Sequence, residues 1–224
     1  MNHSAMANTT AYDDFSPLFP IYANSGAGFS DPWTQGGYNV TTSRYVLFNA
    51  PLQKNSGSSV CGTASSEMNG IIRTLQQPLG DDNTTVYLSL LLQPQGTLND
   101  GLFNGFFGIT LNGSLNDDLF IGKPGGGTLN QYAMETRGGW GQISTGAPVS
   151  AGNTTLLVLK AEFLPGNDVF TLYIDPKQGK SEPAAGTVKA DLDLGTVSTV
   201  GIYSSGAFCV DELRIGTSYG DVVQ

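Results

Sequence analysis

Charge is scarce in this chain. Asp, Glu, Lys and Arg make up 13% of it, and the balance is acidic, with a net charge of −9. Ten basic residues are scattered along the sequence. A duplex-binding surface needs clustered Lys and Arg to displace counterions, so nucleic acid is excluded as an expected partner. Long apolar runs are missing too. None approaches the roughly 20 residues that span a bilayer, so membrane insertion is not expected. Histidine occurs once, as His3. The opening Met1-Asn2-His3-Ser4-Ala5-Met6-Ala7 has neither a basic region nor an apolar region, so it does not read as a signal peptide. It reads as a cloning scar ahead of a trimmed domain, in which case His3 is foreign to the native protein. The expected division is therefore residues 1–10 as a scar or unordered N-terminus and 11–224 as one domain, a length at which sandwiches fold as single units.

Segments of helical period are absent as well. What is present is 30 glycines and short apolar runs bounded by turn residues. Strands are expected over 43–52, 69–76, 84–93, 105–111, 118–122, 131–137, 154–163, 168–174, 197–203 and 208–215. In the run 84–93, Val86, Leu88, Leu90 and Leu92 share one face, and Tyr87, Ser89 and Gln93 share the other. Pro165-Gly166-Asn167 reads as the turn of a hairpin, and Pro124-Gly125-Gly126-Gly127 as a wide loop. Many short strands at this spacing predict an all-β, two-sheet antiparallel sandwich. The last run breaks phase: Phe208 and Val210 share a face, and Leu213 and Ile215 share one of opposite phase. A β-bulge at Asp211-Glu212 would restore a continuous core face.

Two cysteines, Cys61 and Cys209, leave two readings open. One is a disulfide closing a very long loop, worth up to about 4–5 kcal/mol in the chain-entropy model. The other is a pair of buried free thiols. An oxidising, exported context favours the bridge.

Several stretches resemble a known family. Val210-Asp211-Glu212-Leu213-Arg214-Ile215-Gly216 resembles the closing strand of concanavalin A-like lectin and glucanase jelly rolls, and Tyr12-Asp13-Asp14-Phe15 resembles their opening strand. The stretch from Leu157-Val158-Leu159-Lys160 to Leu172-Tyr173-Ile174-Asp175-Pro176, with Phe120-Ile121-Gly122-Lys123-Pro124, is similar to exported bacterial laminin-G-like domains. The resemblance implies a sandwich whose concave face binds sugar, placed in the periplasm, outside the cell or on its surface. It also implies a structural calcium ion, with Asp14 and Asp211 as ligands and a carbonyl near Gly37 as a third. Calcium accepts such a set because it takes six to eight oxygens, carbonyls included. The family's glucanases carry Glu-x-Asp-x-x-Glu on one strand. Here the five glutamates, Glu67, Glu135, Glu162, Glu182 and Glu212, stand apart from one another. No catalytic residue is therefore assigned.

The expected function is carbohydrate binding or adhesion by a monomeric domain without catalysis. The alternative is a polysaccharide-cleaving enzyme, a hydrolase or lyase, with an unfamiliar acid/base pair. Trp33 and Trp140, each set among glycines, are candidate stacking rings. Period-two alternation puts Glu135 and Arg137 on one face as a polar pair for hydroxyls, with Tyr132 reaching the site from the strand's edge. Glu67 and Arg73, near another strand, could converge on the same surface, though no motif assigns them to it. Asp81-Asp82 and Asp117-Asp118 read as turn residues.

Overall fold

The structure is a computed structural model that describes residues 9–16, 25–35, 40–43, 59–62, 68–127, 130–177 and 181–223. Among them, fifteen strands follow in chain order: β1 Thr9–Asp13, β2 Thr34–Gln35, β3 Val40–Ser43, β4 Ser59–Gly62, β5 Asn69–Leu79, β6 Thr84–Pro94, β7 Phe106–Gly113 and β8 Asp118–Lys123. After these come β9 Gln131–Thr136, β10 Trp140–Pro148, β11 Thr155–Phe163, β12 Asp168–Ile174, β13 Thr187–Leu192, β14 Val197–Ser205 and β15 Phe208–Gly216. One short helix, α1 (Tyr219–Val222), ends the described chain. The strands form two antiparallel sheets. One is eight-stranded, ordered β13-β12-β11-β6-β15-β4-β3 with β1 beside β15; the other is seven-stranded, ordered β10-β9-β8-β7-β14-β5-β2.

Alternation decides which side chains fill the space between the sheets. Leu88, Leu90 and Leu92 of β6 meet Ile109 and Leu111 of β7 and Ile121 of β8 in one core. The intervening Tyr87 and Leu91 face outward and join a second cluster with Leu156, Val158, Tyr173 and, from the C-terminal turn, Tyr219, Val222 and Val223. The outer face around β6, β11 and β12 is thus packed against the C-terminal turn. Tyr87 and Tyr173 also donate hydrogen bonds of 2.7 and 2.6 Å to Glu182, which tethers the loop before β13 to that face.

The expected bulge is present. Along β6, Asp211 pairs with Leu91 but Arg214 with Ser89, so the closing strand carries one extra residue there, and Glu212 takes a φ of 52°. On the strand's other side, Phe208–Val210 pairs with β4 and Leu213–Gly216 with β1, so the bulge marks a change of partner. Cys209 lies directly opposite Cys61, and the two are bonded, with Cα atoms 4.1 Å apart. The free-thiol reading is thereby set aside. Strand β1 begins at Thr9, so Thr9 and Thr10 belong to the sheet and not to a leading segment. Of the expected run 43–52, only Ser43 is a described residue.

An ion pair crosses the interior. Asp13 of β1 and Arg73 of β5 come from different sheets, and their side chains are 0% and 1% exposed. Asp13 also accepts the Trp33 indole N–H at 2.8 Å and the Phe15 amide at 2.8 Å. The guanidinium donates to the carbonyls of Asp31 and Ser25 and lies 4.1 Å from the Phe29 ring centre. Arg73 occupies an inward position between Ile71 and Leu75. It therefore does not join Glu135 and Arg137, and Glu67 lies outside the described residues.

Candidate functional site

The outer face of the seven-stranded sheet is built differently from its counterpart. Its outward positions alternate with the core residues Phe107, Ile109 and Leu111, which turns Phe106, Gly108 and Thr110 of β7 to the outside. Register sets Gly108 opposite both Gly122 and Tyr203, and Gly122 opposite Ala133. At the centre of this face Gly108, Gly122 and Ala133 leave room for larger neighbours. A Cβ added at Gly108 would come within 2.8 Å of the Phe120 ring, and one at Gly201 within 2.4 Å of the Tyr203 ring. The two aromatic rings thus lie close against bare backbone. Phe103 and Phe106 continue the aromatic series, with ring centres 6.3 Å apart, and Phe106 is 6.5 Å from Phe120. These rings, with Glu135, Arg137, Gln142 and the backbone of Gly125–Gly127, bound a groove of about 520 Å3.

Two polar elements face this groove. Glu135 is 6% exposed and accepts a hydrogen bond of 2.7 Å from Gln142 of β10. Burial pushes its carboxyl above the usual range, against the opposing effects of the Gln142 bond and the charge of Lys189. Arg137 pairs with Asp118 at 3.0 Å and lays its guanidinium 4.7 Å from the Tyr203 ring centre. The arginine thus spans from the end of β9 over the glycine floor to β14, held by a carboxylate and a π face. Among the described residues that line the groove, Glu135 is the one carboxyl group. The arrangement offers apolar faces, a guanidinium and a hydrogen-bonding carboxyl.

No family model matches the sequence, and no curated protein is significantly similar to it. Solved structures do superpose on it. An endo-1,3-beta-glucanase from Streptomyces sioyaensis covers 93% of this chain and 95% of its own, with a TM-score of 0.53 at 11% identity. The Emp46p carbohydrate recognition domain in its potassium-bound form covers 83% and 88%, with a TM-score of 0.51 at 10% identity. The fold is a concanavalin A-like jelly roll. At these identities the likeness concerns the jelly roll itself and not its chemistry.

Set on this jelly roll, the expected site residues part company. Glu135 and Arg137 meet in the groove as alternation indicated. Trp140 is 78% exposed at the start of β10, next to groove-lining Gly138 and Gly139. Trp33 and Tyr132 are corrections: both are 1% exposed core residues. Trp33 is held by Asp13, and Tyr132 sits on the inward side of β9 with Met134, so neither can stack on a surface ligand. Asp118 is more than a turn residue, since it opens β8 and pairs with Arg137. Phe103, Phe106, Phe120, Tyr203 and Gln142 went unassigned. The available signal was glycine recurring at outward positions of adjacent strands, which marks a strip that side chains have vacated.

The calcium ligands fare less well. Asp211 is wholly buried at the bulge and accepts the Glu212 amide at 2.9 Å; Asp14 accepts the Ser16 amide at 3.0 Å. Gly37 lies outside the described residues. Glu212, not Asp14, is the carboxylate the bulge ties to the opening strand, accepting from the Tyr12 hydroxyl at 3.2 Å, and it also accepts from Arg214 of its own strand at 2.8 Å. Among the described residues, no three His, Cys, Asp or Glu side chains gather as metal ligands.

Proposed function

We propose that this jelly roll is a glycan-binding module that holds a saccharide in the groove of the seven-stranded sheet without cleaving it. The observation that carries the reading is the groove itself: aromatic rings laid on a glycine floor, flanked by Arg137, Glu135 and Gln142, with a single carboxyl among its described lining residues. Apolar ring faces suit the C–H faces of sugars, and a few fixed polar groups orient hydroxyls. The fold is shared with a glucanase and a carbohydrate recognition domain, which supports the same ligand class. The Cys61–Cys209 bridge supports residence in an oxidising compartment, either the periplasm, the cell surface or the medium.

The test is a glycan array followed by a reducing-sugar release assay on the bound glycans, with Trp140→Ala and Arg137→Ala as controls. Binding without release, weakened in Arg137→Ala, is the expected result. Release that is lost in Glu135→Gln would establish the second reading, cleavage with Glu135 as general acid, which its burial-raised carboxyl favours. Silence in both assays would remove both readings. Calcium at Asp14 and Asp211 rests on the family resemblance alone, and equal melting temperatures with calcium and with chelator would remove it.

A further inference from the structure

Lys123 ends β8 at an inward position, in phase with the core residues Leu119 and Ile121, and is 0% exposed. Its ammonium donates to three backbone carbonyls: Gly105 at 2.5 Å, Asn104 at 3.2 Å and Pro124 at 3.3 Å. A fully buried cation is costly and persists only where it is thoroughly hydrogen-bonded. Here its partners are the two loops that form one end of the groove. The first loop is strained. Gly101, Phe103, Asn104 and Gly105 have φ values of 106°, 56°, 60° and 69°, a region that Phe and Asn enter at a cost. Further bonds join the loops to each other and to β14: the Gly126 amide donates to the Phe103 carbonyl at 2.5 Å, and the Leu102 amide donates to the Ser205 hydroxyl at 2.7 Å. The outcome is a phenylalanine that is 64% exposed yet backed by a fixed backbone, at the end of the aromatic series that runs down to Phe120.

We infer that Lys123 is a positioning residue for the groove, its ammonium holding residues 101–105 in their strained path so that Phe103 stands at the rim as a stacking platform for a saccharide ring. The platform half of this inference rests on the glycan-binding reading; the clamp half does not. Burial alone lowers the ammonium's proton affinity, so the clamp is also expected to loosen in alkaline solution sooner than an exposed lysine would discharge.

Two measurements test the halves separately. Hydrogen exchange is compared between the wild-type protein and Lys123→Met, which keeps an unbranched apolar stem and removes the donors. Amides of residues 102–105 and 125–127 are expected to exchange about 10-fold faster or more in the variant, with the strands of both sheets unchanged. Unchanged loop protection would overturn the clamp. Affinity electrophoresis in gels containing soluble β-1,3-glucan, xylan or mannan then compares wild type, Phe103→Ala, Lys123→Met and the double variant. Each single change is expected to weaken retardation by about 3- to 10-fold, the scale of one aromatic contact. The double variant should be no weaker than either single, and Lys123→Arg, which keeps a cation, should recover part of the loss. Wild-type affinity in Phe103→Ala, or additive losses in the double variant, would overturn the platform. A wild-type protein retarded by none of the gels would overturn the saccharide reading and the platform with it, while hydrogen exchange still decides the clamp.

Discussion

Replacing Arg73 by methionine removes one half of an ion pair that bridges the two sheets through the interior. The Asp13 carboxylate would be left 0% exposed, still bonded to the Trp33 indole and the Phe15 amide but without a counter-charge. The carbonyls of Asp31 and Ser25 would lose their donors as well. Breaking one partner of a buried pair costs about 3–5 kcal/mol, because the remaining charge keeps its desolvation penalty and loses its compensation. That is a large part of the roughly 5–15 kcal/mol by which a domain is stable. With a urea m-value of about 2 kcal/mol/M, the midpoint should fall by about 2 M. The double variant Asp13→Leu/Arg73→Met removes both charges together and should recover most of the loss, giving a non-additive cycle. Urea melts followed by tryptophan fluorescence report directly, since Trp33 sits against the pair at a ring-to-guanidinium distance of 5.8 Å. A loss under about 1 kcal/mol in Arg73→Met, or a double variant as unstable as the sum of the singles, would refute the reasoning.

Two further outcomes follow from the same structure. Replacing Cys61 and Cys209 by alanine opens a loop of 148 residues, which the chain-entropy model values at about 5 kcal/mol; denaturant midpoints of the variant should match those of the reduced wild type. Glu135 holds its proton to higher pH when folded than when unfolded, so it reduces stability as pH rises from about the ordinary glutamate value of 4.5 through the raised folded value. Glu135→Gln should therefore melt higher than wild type at neutral pH and converge with it near pH 4, and parallel melting profiles across that range would count against the assignment.

The sandwich was readable because most of its strands carry two-faced patterns. In β6, Leu88, Leu90 and Leu92 enter the main core while Tyr87 and Leu91 enter the outer cluster, as alternation requires. The phase break at Asp211-Glu212 located the bulge to the residue, because one inserted residue inverts every later side chain. Strand β10 was missed because it is an edge strand exposed along most of its length, and Trp140–Pro148 therefore shows no apolar alternation. The groove was only half readable. Phe106 and Phe107 are both phenylalanine, and nothing local says that the first faces the groove while the second packs against Phe208 in the core. Arg73 and Lys123 were opaque for another reason. Alternation does turn both inward, but their partners, Asp13 and the carbonyls of Asn104 and Gly105, are distant in sequence and meet them only in the folded state.

The position of β15 bears on how such a chain comes off the ribosome. It is the last of the described strands in chain order, yet it lies inside the eight-stranded sheet, between β6 on one side and β4 and β1 on the other. Until residues 208–216 emerge, β6 presents an open hydrogen-bonding edge flanked by leucines, and β1 and β4 have no neighbour to bridge them. The sandwich therefore stays open until those residues have emerged, and a product terminated just before Phe208 would carry a sheet split down its middle, with every exposed edge a template for self-association.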